Sequence, residues 1–215
     1  MKTDIKIYKN RGEFANNMLD AYFKKSPNKR VSDIGAGFGH MKMKIDSLNA
    51  NWQPFDYIKK MEETIIWDLN NECPNSNKKA GTVVFLEVLE HLDNPLLGIQ
   101  NIAAHIEKGG HLIMTTPNPQ SCKNIINMFT KGTLYAFQPK HLEENHVFTP
   151  WEHIVRFFLE KSGFEILEYG IVDVDYKKRK VNSIKDWIKL KIENFIEYRN
   201  PKAIGLSYGL VAIKK

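Results

Sequence analysis

Two patterns of apolar residues alternate along this chain: short continuous runs, and residues spaced three or four positions apart. Short apolar runs bounded by polar turns predict buried strands at 31–34, 52–55, 64–67, 81–87, 111–116, 164–172 and 205–213. Apolar residues at helical spacing predict helices at 10–24, 40–48, 93–108, 149–162 and 183–199. Strands that alternate with helices predict an α/β fold with a parallel sheet and right-handed crossovers.

Two segments interrupt this alternation, and we interpret them as insertions in a single domain that covers residues 1–215. Residues 118–146 mix Asn, Pro and Gly with scattered aromatic side chains, which predicts a lid or insertion. Residues 174–204 predict a basic helical insertion before the last strand, and residues 1–28 an N-terminal helical segment. The apolar residues of the helix at 183–199 form one stripe, which we expect to pack inward while the lysines face water: Ile184, Trp187, Ile188, Ile192, Phe195 and Ile196.

The loop after the first predicted strand carries the strongest chemical signal in the sequence. It reads Gly-Ala-Gly-Phe-Gly at 35–39 and comes two residues after Asp33. Glycine permits positive φ and a close approach of the backbone to a ligand. A loop that opens a helix is expected to offer unpaired N–H groups and a helix dipole to that ligand. Nicotinamide and flavin binders favour Gly-x-Gly-x-x-Gly with an acid about 20 residues later, so this spacing departs from both of those classes.

Two further acids follow predicted strands at the same edge of the sheet. Ligands of open parallel sheets bind beyond the carboxyl ends of the strands. Asp56 follows the second strand, where a carboxylate can accept both ribose hydroxyls, and Asp68 follows the third, where one can accept an adenine amino group. Each acid alone is also typical of a turn or a helix cap. Together with the glycine loop, and in this order, they indicate a nucleoside cofactor.

Residues 30–172 resemble the class I S-adenosylmethionine (SAM)-dependent methyltransferases, in their ubiquinone-biosynthesis-like and glycan-modifying branches. The resemblance rests on six segments: 33–39, Asp56, 68–69, Glu-Val-Leu-Glu-His-Leu at 87–92, Thr-Thr-Pro-Asn at 115–118 and His-Val-Phe-Thr-Pro at 146–150. It implies a Rossmann-like, doubly wound sheet of seven strands, mostly parallel with an antiparallel last strand, and methyl transfer from SAM. It also implies the SAM-binding residues: Asp33, Gly35, Ala36, Gly37, Gly39, Asp56, Tyr57, Asp68, Leu69, Glu87 and Val88. The sequence departs from the family at 81–82, where Gly-Thr replaces an acid, and in the short stretch between Asp56 and Asp68.

The acceptor that we predict is a hydroxyl of a small molecule or a glycan. Amino-methylating relatives resemble one another in an Asn/Asp-Pro-Pro-aromatic motif after the fourth strand, and this chain has Glu-Val-Leu-Glu there instead. A hydroxyl must lose its proton on methylation, and histidine suits that task near neutral pH. The candidate catalytic residues are therefore His91, His141 and His146.

The same segment offers a candidate divalent-cation site. Glu87, Glu90 and His91 stand at i, i+3 and i+4, so a helix would turn them to one point, and His146 can complete a site for Mg²⁺ or Mn²⁺. This arrangement resembles that of the small-RNA 3′-terminal 2′-O-methyltransferases and of some ubiquinone-pathway O-methyltransferases. The other interpretation, which we favour, is that Glu87 contacts the cofactor while Glu90 and His91 form a local hydrogen-bonded corner.

Charge and composition add two alternative functions. The net charge is +6, and residues 176–215 hold eleven Lys or Arg against three acids, or +8, which leaves −2 for the rest. This basic region is either a solvated surface or a site for a phosphate-rich partner such as RNA. The alternatives are therefore an RNA 2′-O-methyltransferase and a non-catalytic SAM-binding protein. With no apolar run long enough for a membrane span, no secretory signal and two distant cysteines, the sequence predicts a cytoplasmic protein; acceptor identity and oligomeric state stay open.

Overall fold

The chain folds around one eight-stranded sheet in a computed structural model that describes residues 5–74, 78–175 and 182–215. The strands are β1 (Lys6–Ile7), β2 (Arg30–Ile34), β3 (Asn51–Asp56), β4 (Ile65–Ile66), β5 (Ala80–Leu86), β6 (Ile106–Pro117), β7 (Phe164–Val172) and β8 (Ser207–Lys214). Their order across the sheet is β1-β7-β8-β6-β5-β2-β3-β4. Strand β8 is antiparallel to β6 and β7, and the other neighbours are parallel. The predicted Rossmann-like sheet is confirmed, and the two-residue edge strand β1 makes it eight strands instead of seven.

Six helices connect these strands in the described part of the chain: α1 (Arg11–Tyr22), α2 (Lys42–Ser47), α3 (Pro95–His105), α4 (Cys122–Lys131), α5 (Glu152–Lys161) and α6 (Ile184–Arg199). The observed helix boundaries differ from the predicted ones by up to three residues, and two of these differences have a clear cause. Helix α2 begins at Lys42 and not at His40, because residues 37–41 form turns. Helix α3 ends at His105, since Ile106 is already extended and pairs with Ala80 of β5. Helix α4 lies inside the segment predicted as a lid and has no counterpart among the predicted helices.

The core lies on both faces of the sheet, as a doubly wound fold requires. Side chains of α3 and α5, such as Ile102 and Leu159, cover one face together with Phe85 of β5. Side chains of α1, such as Phe14, cover the other face together with Val84 of β5. Neighbouring residues of β5 thus point into opposite layers, which explains why this strand reads as an unbroken apolar run in the sequence.

The strand order places a crevice at one edge of the sheet. Strand β2 pairs with β3 on one side and with β5 on the other, so the chain leaves β2 in one direction and later returns to its opposite side. Such a reversal opens a gap beyond the carboxyl ends of the two strands, where ligands of this architecture bind. The glycine loop follows β2 into this gap, and Glu87 follows β5 into it.

The apolar stripe predicted for α6 points the wrong way. Trp187, Phe195 and Tyr198 are exposed, whereas Glu193 is buried. The prediction that the aromatic side chains of this helix pack inward is therefore wrong. The basic residues at 177–180 lie outside the described residues, and no described helix is long and apolar enough to cross a membrane.

Asn118 joins the two inserted segments at their bases. Its backbone N–H donates to Leu206 O at 2.7 Å, and its side-chain amide donates to the carbonyl oxygens of Lys202 and Gly205 at 2.8 and 3.3 Å. The carbonyl oxygen of Asn118 accepts from the side chain of Asn124 in α4 at 2.7 Å. The start of the lid and the end of the α6 segment are thus held together by one buried side chain.

Candidate functional site

Asp33 contacts the glycine loop indirectly, through the side chain of Trp52. The Asp33 carboxylate is buried near the end of β2 and accepts a hydrogen bond from Trp52 Nε1 at 3.2 Å. Burial raises the pKa of this carboxyl to about 6, while the Trp52 N–H opposes the shift. The Trp52 ring lies so close to Gly39 that a Cβ on that glycine would come within 3.2 Å of it. The acid therefore orients the ring against which the loop packs.

The three glycines of the loop have positive φ angles of 77°, 56° and 73° at Gly35, Gly37 and Gly39. A Cβ on Gly35 would stand 2.3 Å from the side chain of Val88, so only glycine fits there. A Cβ on Gly37 would meet nothing within 4 Å. The loop is thus closed by packing at its first and third glycines and open to a ligand at the second.

The backbone amides of this loop are already bonded within the chain. The N–H groups of Gly35 and Ala36 donate to Phe55 O at 2.9 and 3.0 Å, and Gly39 N–H donates to Ala36 O at 2.8 Å. Gly37 N–H donates to Asp56 Oδ2 at 2.9 Å. The prediction that the loop presents unpaired amides is therefore wrong for these four residues. The helix dipole also acts less on the loop than predicted, because α2 is short and starts after it.

Asp56 lies at the end of β3, beside the loop, with its carboxylate buried. Oδ2 accepts from Gly37 and lies 3.5 Å from Lys60 Nζ, and Oδ1 accepts from Ile58 N–H at 3.3 Å. Tyr57 comes next in the chain and is exposed. The open space above Gly37 and the carboxylate of Asp56 next to it fit a nucleoside-type cofactor, whose ribose hydroxyls can replace the Gly37 amide as hydrogen-bond donors to Asp56.

Asp68 forms a local turn at the end of β4. Its Oδ1 accepts from the backbone and side-chain amides of Asn70 at 2.9 and 3.0 Å, and its Oδ2 accepts from the side chain of Asn71 at 3.1 Å. The next residue, Leu69, is buried, and its carbonyl oxygen accepts from Asn101 of α3 at 2.8 Å. The turn therefore has a structural role of its own, with or without a bound adenine.

Glu87 follows β5 in a conformation that few residues other than glycine adopt, with φ at 53°. Its side chain is mostly buried; Oε2 accepts from the Ser207 hydroxyl at 3.2 Å and lies 3.9 Å from Arg11, whereas Oε1 has no hydrogen-bond partner among the described residues. Burial raises the pKa of this carboxyl to about 7, against the opposing charge of Arg11. A backbone strained in this way, next to an unpaired buried oxygen, is typical of a functional position.

A cavity of about 390 Å³ opens directly at Glu87, between the N-terminal segment, the lid and the start of β8. Sequence reasoning missed most of its polar wall, because residues far apart in the chain meet there only after folding. The charged and hydrogen-bonding side chains of this wall include Arg11, Glu87, Tyr135, His146, Asp173 and Ser207. A volume of this size suits a small-molecule acceptor.

The three histidines predicted as catalytic candidates lie together beside this cavity. The rings of His91 and His146 have centroids 4.7 Å apart, and His141 stacks on His146 at 5.7 Å. His91 Nδ1 donates to Glu144 O at 2.7 Å, and His146 Nδ1 donates to Ala136 O at 2.9 Å. Each of these two rings therefore has Nε2 as the nitrogen that can accept a proton or bind a metal.

Glu90 completes a cluster with two of these histidines. Ligand atoms of Glu90, His91 and His146 all lie within 4.8 Å of one another. The Glu90 carboxylate is buried and accepts from the Thr116 hydroxyl at 3.1 Å, and its burial raises the carboxyl pKa well above the ordinary value. One carboxylate and two imidazoles, each imidazole oriented by a backbone carbonyl group, fit a divalent first-row transition metal such as Mn²⁺. Glu87, which the sequence included among the tentative ligands, lies outside this group.

The comparisons with known proteins agree with this architecture. A family model described as a methyltransferase domain matches residues 8–169. The ubiquinone biosynthesis O-methyltransferase of Rickettsia canadensis (strain McKiel) is 29% identical over 126 residues, which are 58% of this chain and 53% of that protein. The matched region thus spans about half the length of this relative.

Solved structures share the fold at low sequence identity. A SAM dependent methyltransferase from Archaeoglobus fulgidus superimposes with a TM-score of 0.63 at 19% identity and covers 95% of both chains. Magnesium protoporphyrin IX methyltransferase from Synechocystis PCC 6803, solved with bound SAM, gives a TM-score of 0.55 at 17% identity, over 94% of this chain and 76% of that one.

Proposed function

This chain belongs to the methyltransferase domain family, within the class I SAM-dependent superfamily, and we propose that it methylates a hydroxyl group of a small-molecule or glycan-type acceptor. The methyl donor of this superfamily is SAM. The observation that carries the proposed acceptor is the 390 Å³ cavity beyond β5, where His146 shares a wall with the unpaired carboxylate oxygen of Glu87. The cavity offers both a base and a hydrogen-bond acceptor to a hydroxyl group.

We propose that the cofactor lies along the loop after β2. The open space at Gly37 and the carboxylate of Asp56 would receive the ribose, and the turn at 68–69 would border the adenine, next to exposed Tyr57. Gly35 and Val88 would then border the sulfonium end, because they pack together between β2 and β5. SAM supplies an electrophilic methyl group and leaves as S-adenosylhomocysteine. The residues of this chain thus hold the donor in place and align it with the acceptor.

Among the three histidines, we propose His146 as the general base. It lines the cavity, its Nδ1–H is fixed by Ala136 O, and its Nε2 is therefore the nitrogen that can take the hydroxyl proton. The Nε2 atoms of His91 and His146 each face a carboxylate, Glu90 at 4.0 Å and Glu144 at 3.8 Å, so the place of His146 in the cavity wall is what distinguishes it. His141 Nδ1 accepts from Gln138 N–H at 3.2 Å. The acceptor oxygen loses its proton to His146 as it attacks the methyl carbon, so the step needs no charged intermediate on the oxygen.

The first experiment measures the melting temperature with and without S-adenosylhomocysteine. At a ligand concentration of about one hundred times Kd, binding adds about 2.7 kcal/mol, or roughly 5–10 °C for a chain of this size. A shift with this ligand but not with NAD supports the cofactor. Labelled SAM is then offered together with phenol, catechol and sugar acceptors.

The variants His146→Asn and His153→Asn test the role of the base. His146 lines the cavity, whereas His153, in the first turn of α5, is exposed and lies outside it, so it serves as the control. We expect His146→Asn to lower kcat by about 10²–10⁴ and His153→Asn to leave it unchanged. Equal activity of the two variants would refute the role of His146. A cofactor shift without turnover on any acceptor would favour the alternative of a non-catalytic SAM-binding protein.

A metal-dependent RNA 2′-O-methyltransferase is the second candidate, and the cluster of Glu90, His91 and His146 favours it. The test is Mn²⁺ binding followed by electron paramagnetic resonance, with methyl transfer to RNA measured in parallel. His91→Asn should abolish binding, whereas His141→Asn, a neighbouring ring outside the cluster, should preserve it. Absence of Mn²⁺ binding by the unchanged protein would eliminate this candidate.

A further inference from the structure

Helix α6 turns its apolar side toward solvent. Six of its large apolar side chains are about half or more exposed, and Phe195 is 65% exposed. Glu193 is buried on the opposite side, where the helix faces α4. An isolated amphipathic helix on a folded domain normally shows the reverse arrangement, with its apolar side against the core. The exposed apolar residues are Ile184, Trp187, Ile188, Ile192, Phe195 and Tyr198.

Helix α4 repeats this reversed arrangement next to α6. Its inward residues include Asn124 and Asn127, whose side chains bond to backbone carbonyls, while Phe129 is 92% exposed on the outside together with Ile125 and Met128. The two helices are in contact, since Cys122 Sγ lies 3.8 Å from Glu193 O. Two neighbouring helices thus each expose an apolar side, and we name these exposed residues together the α4–α6 face.

The charges on this face have a single sign. The exposed charged residues of the two helices, among those whose side chains the structure describes, are Lys131, Lys189, Lys191 and Arg199. The three acids of α6 are buried or half-buried. In the sequence, four more basic residues at 177–180 come shortly before α6. Apolar and cationic groups therefore share the surface, without exposed acids on either helix.

A basic cleft lies between α4, α6 and the part of the lid that follows α4. It has a volume of about 280 Å³, and its lining includes four lysines, Lys123, Lys131, Lys140 and Lys189. Gln138 and Asn127 add amide groups to the same wall. Four cations around a small cleft match the charge and hydrogen-bonding capacity of a phosphate group.

We propose that the α4–α6 face docks on an anionic phospholipid membrane, with lipid phosphate groups in the four-lysine cleft. Helices of this kind lie in the membrane interface with the apolar side chains buried among the lipid tails and the cations near the headgroups. Trp and Tyr suit the boundary between the two regions. A second copy of this chain fits the face less well, because a two-fold contact would oppose two faces whose exposed charged residues are all positive.

The test is flotation of the full-length protein with two kinds of vesicle, phosphatidylcholine alone and phosphatidylcholine mixed with phosphatidylglycerol. We expect binding to the mixed vesicles only, and its loss at high salt. The double variants Phe129→Asp/Phe195→Asp and Lys131→Glu/Lys189→Glu should each weaken this binding at least about tenfold. Matched controls are Met43→Asp/Phe157→Asp and Lys24→Glu/Lys29→Glu, which change equally exposed residues outside the face and should bind normally.

Three outcomes would overturn the proposal. Equal binding to neutral vesicles would refute the role of the lysines in docking. No binding to either kind of vesicle would refute membrane docking itself. Self-association in solution that Phe129→Asp/Phe195→Asp abolishes would show that a second copy covers the face. The thermal shift with S-adenosylhomocysteine should be the same for every variant, so it reports separately on folding and on the proposed enzyme. Free inorganic phosphate that fails to compete with the vesicles would confirm that the bilayer, and not phosphate alone, is bound.

Discussion

The two halves of the carboxyl edge of the sheet differ in which side chains they turn outward. In the cofactor half, formed by β2, β3 and the glycine loop, the apolar strand residues Ile34 and Phe55 are buried, and the exposed apolar side chains, such as Phe38, lie in loops. In the acceptor half, formed by α4, the lid and α6, asparagines lie inside while Phe129 and Phe195 face solvent. The exposed apolar residues of the first half are thus confined to loops, whereas those of the second half lie along two helices.

The difference indicates how the two halves depend on their ligands. The cofactor half must hold one molecule that is common to a whole superfamily, so a short local motif is sufficient to build it. In the proposed function the acceptor half holds a particular acceptor, and its cavity is lined by residues from distant segments of the chain. Substitutions in the two halves should therefore have different consequences, and four predictions follow from the largest effect to the smallest.

The largest effect is expected for Gly37→Val in the cofactor half. A branched side chain at a φ of 56° fills the open space above the loop, where the cofactor is expected, so binding of S-adenosylhomocysteine should be lost. Isothermal titration calorimetry measures this. The control is Gly109→Val, which also has positive φ and open space but lies far from this edge; equal affinity of both variants would refute the placement of the cofactor.

A pair of truncations in α5 and α6 compares an inward with an outward apolar residue. Leu159→Ala in α5 removes a fully buried side chain and should lower the free energy of unfolding by about 2–5 kcal/mol. Ile192→Ala in α6 should change it by less than about 0.5 kcal/mol, since that side chain is half-exposed. Urea denaturation measures both. Similar losses would mean that α6 packs like an ordinary core helix.

Asp33→Asn should stabilise the cofactor half in a pH-dependent manner. Burial raises the Asp33 pKa from 3.8 to about 6 in the folded protein. The protonated carboxyl therefore contributes fully to the free energy of unfolding below pH 3.8, and this contribution is lost as the pH rises through 6. The asparagine variant avoids this loss and should be more stable at pH 8 by up to about 3 kcal/mol. It should match the unchanged protein at low pH. A constant difference between the two proteins across pH would contradict the burial of a charged Asp33.

The smallest effect is expected for Ser183→Ala, which removes the N-cap of α6. The Ser183 hydroxyl accepts from Asp186 N–H at 3.1 Å, and its loss should cost about 1 kcal/mol locally. Because little of α6 packs against the core, faster amide hydrogen exchange should be confined to that helix. The corresponding variant Asn94→Ala, at the cap of the well-packed helix α3, should lower the global free energy of unfolding instead.

The cofactor half could be predicted from the sequence because its signals are local. The run 33–39 contains the strand end, the turn and the glycines, and the position of Asp56 follows from strand spacing. The hydrogen bonds of the loop amides could not be predicted, because their acceptors, the Phe55 carbonyl and the Asp56 carboxylate, belong to the neighbouring strand β3. Hydrogen bonds between neighbouring strands depend on register, and register is not visible in a local motif.

The acceptor half could be predicted only in part. The three candidate histidines were found from their chemistry, and the fold brings them together. The sequence favours the segments without motifs, 1–14, 118–146 and 174–204, for acceptor contacts, and Arg11 and Tyr135 lie in the first two. Neither these residues nor Asp173 could be predicted individually, because none has a motif around it. The stripe of α6 was recognised correctly as a pattern but assigned to the wrong side, since periodicity identifies an amphipathic helix without saying what its apolar side contacts.

Asn118 links the segment after α6 to the residues around the proposed acceptor cavity. Its side-chain amide donates to the carbonyl oxygens of Lys202 and Gly205, and its own carbonyl oxygen accepts from Asn124, so the segment that follows α6 and the start of α4 share one anchor. Asn124 lines the acceptor cavity and accepts from Tyr135 N–H at 2.6 Å. If the protein docks on a membrane as we propose, this anchor gives the docked face a hydrogen-bonded path to the wall of the proposed acceptor cavity.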